Sequence, residues 1–143
     1  MIIANIISER DPSDIVSCDV STQVAKVIGV LAGKRIGALP IMRDGQIAGI
    51  VSERDVIYKL ADIGNECLDL PVEAIMTSPA ITVEPDTQID EALGLMTRRR
   101  FRHFPVVDNG KLVAFISIGD LVKHKIDEVE HEAAALRDYI QTA

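Results

Sequence analysis

The residues with the most to offer chemically stand at the ends of two apolar runs. In Gly49-Ile50-Val51-Ser52-Glu53-Arg54-Asp55 a strand pattern passes directly into a hydroxyl, a carboxylate, a guanidinium and a second carboxylate. Ala114-Phe115-Ile116-Ser117-Ile118-Gly119-Asp120 repeats the strand, the serine and the aspartate. Two chemistries suit Ser-x-x-Asp at the start of a helix. In a capping box, the serine oxygen accepts from an early helix N–H while the acid reaches back to the serine N–H. Alternatively the carboxylate, with two acceptor oxygens and no donor, accepts from two neighbouring hydroxyls, and the serine and helix N–H groups face an anion. Repetition does not choose between them, because a duplicated cap repeats as well. The cations favour the second: Arg54 lies inside one motif, and Arg98-Arg99-Arg100-Phe101-Arg102-His103 is a dense basic run in a chain of formal charge −7. Arg98 to Arg100 also suit a helix C-terminus, where cations offset the dipole. Arg102 and His103 stand instead at the entry to the next apolar run, where a structural imidazole is the other reading of His103.

No catalytic constellation accompanies these motifs. A nucleophile with an adjacent base, a metal cluster or a Walker-type phosphate loop is missing from the sequence, so the chain is not expected to be an enzyme. Cys18 and Cys67 form no CxxC pair and the three histidines are scattered, so no metal site is expected and both cysteines read as small buried hydrophobes. The acidic balance, with a pI near 4.9, argues against nucleic acid as a partner. No segment is long enough to span a bilayer, and MIIANIISER has no basic lead, which predicts a soluble cytoplasmic protein with no membrane partner. At 143 residues and 48% apolar content the chain can build a real core, as one domain or two small lobes.

The elements that must position the motifs are duplicated. A shift of 65 residues lays Pro40 on Pro105, Gly45 on Gly110, Ser52 on Ser117 and Asp55 on Asp120, and upstream it pairs Thr22 with Thr87, Gln23 with Gln88, Gly29 with Gly94 and Arg35 with Arg100, without a gap. Val24, Val27, Ile28 and Leu31 form a helical stripe that Ile89, Ala92, Leu93 and Met96 repeat. Ser21 or Thr22, and Asp86 in the second copy, are the expected caps. A strand follows at Leu39–Met42 or Phe104–Val107, then a turn containing Asp44-Gly45 or Asn109-Gly110, whose residues take positive φ readily. The returning strand, Ile47–Val51 or Leu112–Ile116, ends at the motif, and a further helix begins, from about Arg54 to Ala61 in the first copy and much longer in the second. With leading strands at Ile15–Cys18 and Ile81–Val83, each copy reads β-α-β-β-α. Units of ~60 residues bury only about 60% of their unfolded surface, so the halves are expected to pack sheet against sheet with pseudo-twofold symmetry. The expected division is residues 1–66 for the first repeat with its N-terminal segment, 67–125 for the second, and 126–143 for a helical extension.

On Phe101-Arg102-His103-Phe104-Pro105-Val106-Val107-Asp108, the Asn-Gly turn, Phe115 to Asp120 and the matching run from Ala38 to Asp55, the chain resembles the paired CBS domains, or Bateman module, over about Ile3 to Lys125. The resemblance implies an α+β fold of two packed CBS repeats. It also implies a regulatory module that binds adenosine-containing ligands, such as AMP, ADP, ATP, NAD(H) or S-adenosylmethionine, between the repeats. Such modules are usually attached to an enzyme, channel or transporter; here a stand-alone member is expected. The implied nucleotide-binding residues are Ser52, Arg54, Asp55, Arg102, His103, Ser117 and Asp120. The aspartates would take the ribose hydroxyls, and the positions two and three before Pro105 would take the phosphate. The first copy departs from this with Gly37 and Ala38 at those positions. The Asp120 pocket is therefore expected to be the tighter one for phosphate-rich ligands, by a smaller margin if Arg54 reaches across the cleft to its neighbour's ligand. A module for protein interaction with vestigial pockets is the alternative.

Val122, Ile126, Val129, Ala133, Leu136 and Ile140 alternate spacings of four and three near the C-terminus, with Asp127, Glu128, Glu130, Glu132 and Arg137 on other faces. Such a stripe either folds back on its own domain or meets its mate in a homodimer, the expected outcome because the helix runs well past the repeat. A regulated partner protein is a further expectation.

Overall fold

Matching apolar stripes give matching helices, and matching turn pairs give matching hairpins. In the computed structural model, which describes residues 1–142, the chain runs α1 (Ile3–Ile7), β1 (Cys18–Asp19), α2 (Val24–Lys34), β2 (Ala38–Arg43), β3 (Gln46–Ser52), α3 (Glu53–Ile63), α4 (Ile89–Arg99), β4 (His103–Asp108), β5 (Lys111–Ser117) and α5 (Ile118–Thr142). Val24, Val27 and Leu31 are the buried face of α2, and Ile89, Ala92 and Met96 that of α4. Asp44 and Gly45, like Asn109 and Gly110, both take positive φ, the geometry of a two-residue turn that matches strand twist. Each hairpin also carries a register shift at the same place, Ile41/Met42 and Val106/Val107.

Two expectations need correction. The leading strand of the first repeat is only Cys18–Asp19, parallel to β2, and in the second it shrinks to one parallel bridge, Val83 with Val106. That bridge is the 65-residue image of Cys18 with Ile41, so the pairing is kept although the strand is not. The helices α2 and α4 are also not capped by Ser21, Thr22 or Asp86; the cap positions are Gln23 and Gln88, with no side-chain cap bond. Backbone does the work instead, as Val24 N–H donates to Leu70 O at 2.9 Å and Ile89 N–H to Met1 O at 3.1 Å. A carbonyl delivered by a crossing segment satisfies the orphan donor that a side chain would otherwise meet. Ser21, freed from that role, donates from both its N–H and its hydroxyl to Asp19.

Those crossing segments tie the halves together. Ile3 and Ile6 of α1 lie in the core formed by Ile89, Met96, Phe104, Ile116 and Leu121 of the second repeat. Val72, with Ile75 and Met76 against it, completes the core of Val27, Leu31, Leu39, Ile41 and Val51 in the first. A cut between residues 66 and 67 thus follows the duplication, while each core draws on chain from both sides of it. β3 and β5 are in contact where the two sheets meet, which sets the ends of both strands, and hence both Ser-x-x-Asp motifs, along the shared seam. Cys67 is fully buried and Cys18 partly so, with burial pushing the Cys18 thiol up.

The crossing segment lies directly against β3 at Gly49 and Ile50. Ile50 N–H donates to Thr77 O at 3.0 Å, Thr77 N–H donates to Ile50 O at 2.8 Å, and a Cβ on Gly49 would sit 2.7 Å from Thr77 O and 2.8 Å from the Met76 sulfur. The equivalent residue in the second repeat is Ala114, so this close approach belongs to one seam only. Gly49→Ala is expected to cost about 1–3 kcal/mol through overpacking against backbone. Thermal melting should show a drop of roughly 3–10 °C; an unchanged melting point would mean that the Thr77 segment is held elsewhere.

Candidate functional site

Each apolar strand must hand its chain to a helix whose first N–H groups lack partners, and Ser-x-x-Asp meets that need in both repeats. Ser52 Oγ accepts from Asp55 N–H at 3.3 Å, and Asp55 Oδ2 accepts from Ser52 N–H at 2.8 Å and from its hydroxyl at 3.1 Å. Ser117 and Asp120 repeat this at 3.2, 2.9 and 3.2 Å. The capping box is therefore real in both copies. It consumes only one carboxylate oxygen of each aspartate, so the second reading of the motif rests on the other oxygen.

The two remaining oxygens meet different fates. Among the described residues Asp55 Oδ1 has only the Thr77 hydroxyl, at 3.5 Å. Asp120 Oδ1 is 2.9 Å from Arg10 Nη2 in an ion pair, and the same guanidinium donates to Phe115 O at 3.4 Å. Burial pushes the Asp120 carboxyl up, but the Ser117 amide, the Arg10 guanidinium and the Ser117 hydroxyl together outweigh it and hold it below the ordinary carboxylate range.

Each aspartate lines its own cavity along the seam. The Asp55 cavity, of about 510 Å³, has an apolar part made by Ile50, Pro79, Ala80, Ile81 and Phe101, and a polar part made by Ser52, Asp55 and Thr77. Arg54, Arg99, Arg100 and Arg102 also line it, against the carboxylates of Glu53 and Asp55. Among the described residues none of these four arginines lies in an ion pair. The Asp120 cavity, of about 480 Å³, has a similar apolar part, including Ile15, Val16, Ile36 and Phe115, but its charges are Glu9, Asp11, Asp14 and Asp120 against Arg10. Both volumes fall in the range of small-molecule sites.

Of the sequence-derived candidates, the structure brings Ser52, Arg54, Asp55, Arg102 and His103 to the first cavity and Ser117, Asp120 and again His103 to the second. The expected grouping of Arg102 with Asp120 is not found. Arg102 precedes the first residue of β4, which pairs with Ser117, and the Arg102 carbonyl accepts from Ile118 N–H at 2.8 Å; its side chain lines the opposite cavity. His103 is the wall common to both, its ring stacked on Phe115 at 5.4 Å and 10°. Burial lowers its pKa most, Asp120 and Glu53 raise it, and Arg102 lowers it again, leaving it below the usual imidazole value.

Several lining residues escaped sequence reasoning. Thr77 and Pro79 to Ile81 lie in the segment that crosses to β3, and the 65-residue shift, which pairs residues 77–81 with residues 12–16, was the available signal for both crossing segments. Arg99 and Arg100 had an adequate explanation as helix-end cations, yet both line the cavity, whereas Arg98 lies back over Gly94, its Nη1 3.2 Å from where a Cβ would stand. Arg10 had no marker at all. Among the described residues there is no cluster of His, Cys, Asp or Glu placed to hold a metal ion, and no helix long and apolar enough to cross a membrane.

Comparison with known proteins places this geometry. The family model for the CBS domain matches residues 4–62 and 72–127. The mitochondrial CBS domain-containing protein CBSX3 of Arabidopsis thaliana is 33% identical over 129 residues, covering 87% of this chain and 63% of that protein, so the chain spans somewhat less than two thirds of this relative. The structure of a putative signal-transduction protein with CBS domains from Burkholderia ambifaria superposes with a TM-score of 0.82 at 40% identity, covering 89% of this chain and 95% of that one. CBSX2 in complex with AMP shares the fold, with a TM-score of 0.74 at 24% identity over 88% of this chain and 96% of that one.

Proposed function

This chain belongs to the CBS-domain family, and on that premise we propose that it is a non-catalytic sensor module whose ligand is a phosphorylated adenosine compound held at Asp55. The observation that carries the reading is the Asp55 cavity itself. Four arginines without acidic partners surround a space that also holds an apolar slot and a carboxylate oxygen with only a distant hydroxyl beside it. An adenine ring suits the slot, two ribose hydroxyls suit the carboxylate and Thr77, and the arginines suit phosphate, which guanidinium groups bind through paired N–H donors. AMP, ADP, ATP and NAD(H) all satisfy that pattern. S-adenosylmethionine satisfies the base and ribose parts but offers the arginines no phosphate. The fold shared with CBSX2, which is seen in complex with AMP, supports the same class.

A thermal-shift screen of AMP, ADP, ATP, NAD, NADH and S-adenosylmethionine tests the reading. Ligand at about a hundred times its Kd should add ~2.7 kcal/mol, a rise in Tm of roughly 5–10 °C for a chain of this size. The phosphorylated ligands should lead, and each should be recovered chemically unchanged after long incubation. No shift with any of them would favour the second reading, a protein-interaction module with vestigial pockets. That reading draws on the exposed apolar residues of α5. A cytoplasmic setting, a homodimer through α5 and a regulated partner protein belong to the same proposal.

A further inference from the structure

The two cavities are equivalent by fold but not by charge or by what their aspartates already hold. At Asp55 the second carboxylate oxygen has only Thr77 Oγ1, at 3.5 Å. At Asp120 the corresponding oxygen is bound by Arg10 at 2.9 Å, and Phe115 O anchors the same guanidinium from the side. The residue that the 65-residue shift sets opposite Arg10 is Ile75, which has no such donor and packs in the first core instead. Without Arg10 the second cavity would present the carboxylates of Glu9, Asp11, Asp14 and Asp120 with no guanidinium among them.

Resting on the reading that Asp55 is the ribose-binding acid, we propose that Arg10 is a built-in occupant of the second site: it holds the hydroxyl-accepting oxygen of Asp120, so the chain binds a single phosphorylated adenosine ligand, and releasing Arg10 opens the Asp120 cavity to an uncharged nucleoside only. Two physical steps lead there. A guanidinium–carboxylate contact at 2.9 Å, partly buried, competes directly with two neutral hydroxyls for the same oxygen, and a charge-assisted bond is the stronger of the two. Removing the guanidinium then frees the oxygen but leaves four like charges, which oppose a phosphate and leave a neutral ribose unaffected.

Titration calorimetry of the full chain with AMP and with adenosine, in wild type and in Arg10→Met, tests this; methionine keeps an apolar stem in place of the arginine methylenes. Wild type should bind one AMP and one adenosine per chain. R10M should still bind one AMP but two adenosines, and adding Asp55→Ala to R10M should leave the adenosine site at Asp120 and weaken AMP binding by roughly ten- to a hundredfold. Two AMP per wild-type chain, or a single adenosine in R10M, would overturn the proposal. A ligand-independent measurement separates this from failure of the nucleotide reading. The Asp120 carboxyl, followed by NMR titration, should rise in pKa when R10M removes the guanidinium that lowers it. If no ligand binds to any variant but the pKa rises, the ion pair stands and the nucleotide reading falls, taking the single-ligand claim with it; an unmoved Asp120 pKa sinks the role of Arg10 itself.

Discussion

Asp55→Ala is expected to weaken AMP binding by roughly ten- to a hundredfold, the loss that follows from one hydrogen bond to a charged acceptor at ~1.5–3 kcal/mol, while Asp120→Ala leaves AMP affinity within about twofold. Both substitutions break the same capping box, at about 1 kcal/mol, and Asp120→Ala also loses the Arg10 ion pair, so its stability cost should be the larger. A thermal melt of each variant therefore accompanies the affinity measurement. The contrast in affinity is expected because the four arginines, in no ion pair among the described residues, lie with the open carboxylate oxygen in one cavity, whereas in the other the oxygen is already paired and the surrounding charge is acidic. Asp55→Asn refines the test, since it keeps one acceptor oxygen for the cap and loses the charge; an intermediate Kd is expected. Calorimetry at fixed ionic strength measures all three. A larger loss at Asp120 would restore the assignment made from sequence register, in which Arg102 and His103 serve the serine and aspartate of their own repeat.

Ending the chain near Lys125 is expected to convert a dimer into a monomer. Along α5 the structure leaves Ile126 51%, Val129 50%, Leu136 60% and Ile140 64% exposed, and Tyr139 beside them 71%. The fold-back alternative is therefore not what the structure shows, because these side chains find no cover on their own domain. The exposed stripe from Ile126 to Ile140 extends about 21 Å along the helix at about 1.5 Å per residue, and a continuous apolar run of that kind is more than isolated exposed hydrophobes require. Ile57 and Tyr58 on α3, 60% and 66% exposed, offer a second uncovered patch on the same module. Light scattering of the shortened and complete chains reads the difference directly. A shortened protein that stays dimeric would move the interface to the repeats, with Ile57 and Tyr58 the first residues to replace.

Much of this was legible in the chain because the physics is local and stated twice. Helix stripes, Asp-Gly and Asn-Gly turns and the Ser-x-x-Asp boxes each depend on neighbours within a few residues, so they can be read from spacing, and the duplication vouches for each. What was not legible is what depends on segments that cross. The Leu70 and Met1 carbonyls displaced the expected side-chain caps, the second leading strand shortened to a bridge at Val83, and Arg102 and Arg10 changed sides relative to a repeat-by-repeat reading. A self-alignment assigns each residue to the repeat that contains it. Here the seam lets residues 99–103 reach the first repeat's aspartate and residues 9–16 the second's.

The exchange of α1 into the second core also fixes the order in which the chain can assemble as it is made. Ile3 and Ile6 leave the ribosome about 100 residues ahead of Phe104, Ile116 and Leu121, against which they pack; at ~5–20 residues per second that is a wait of roughly 5–20 s. During it two fully apolar side chains have no native surface to cover them. The first repeat can close meanwhile, because Val72, Ile75 and Met76 follow it at once. Vectorial synthesis therefore completes the first core early and the second late, and Arg10 can reach Asp120 only in that last step. The Asp55 cavity waits as well, since its arginines at 99, 100 and 102 arrive with the same closure. Completion of the Asp55 cavity and of the fold thus arrive together, and a nascent chain stalled before residue 99 would carry a finished first core without Arg99, Arg100 and Arg102 at that cavity.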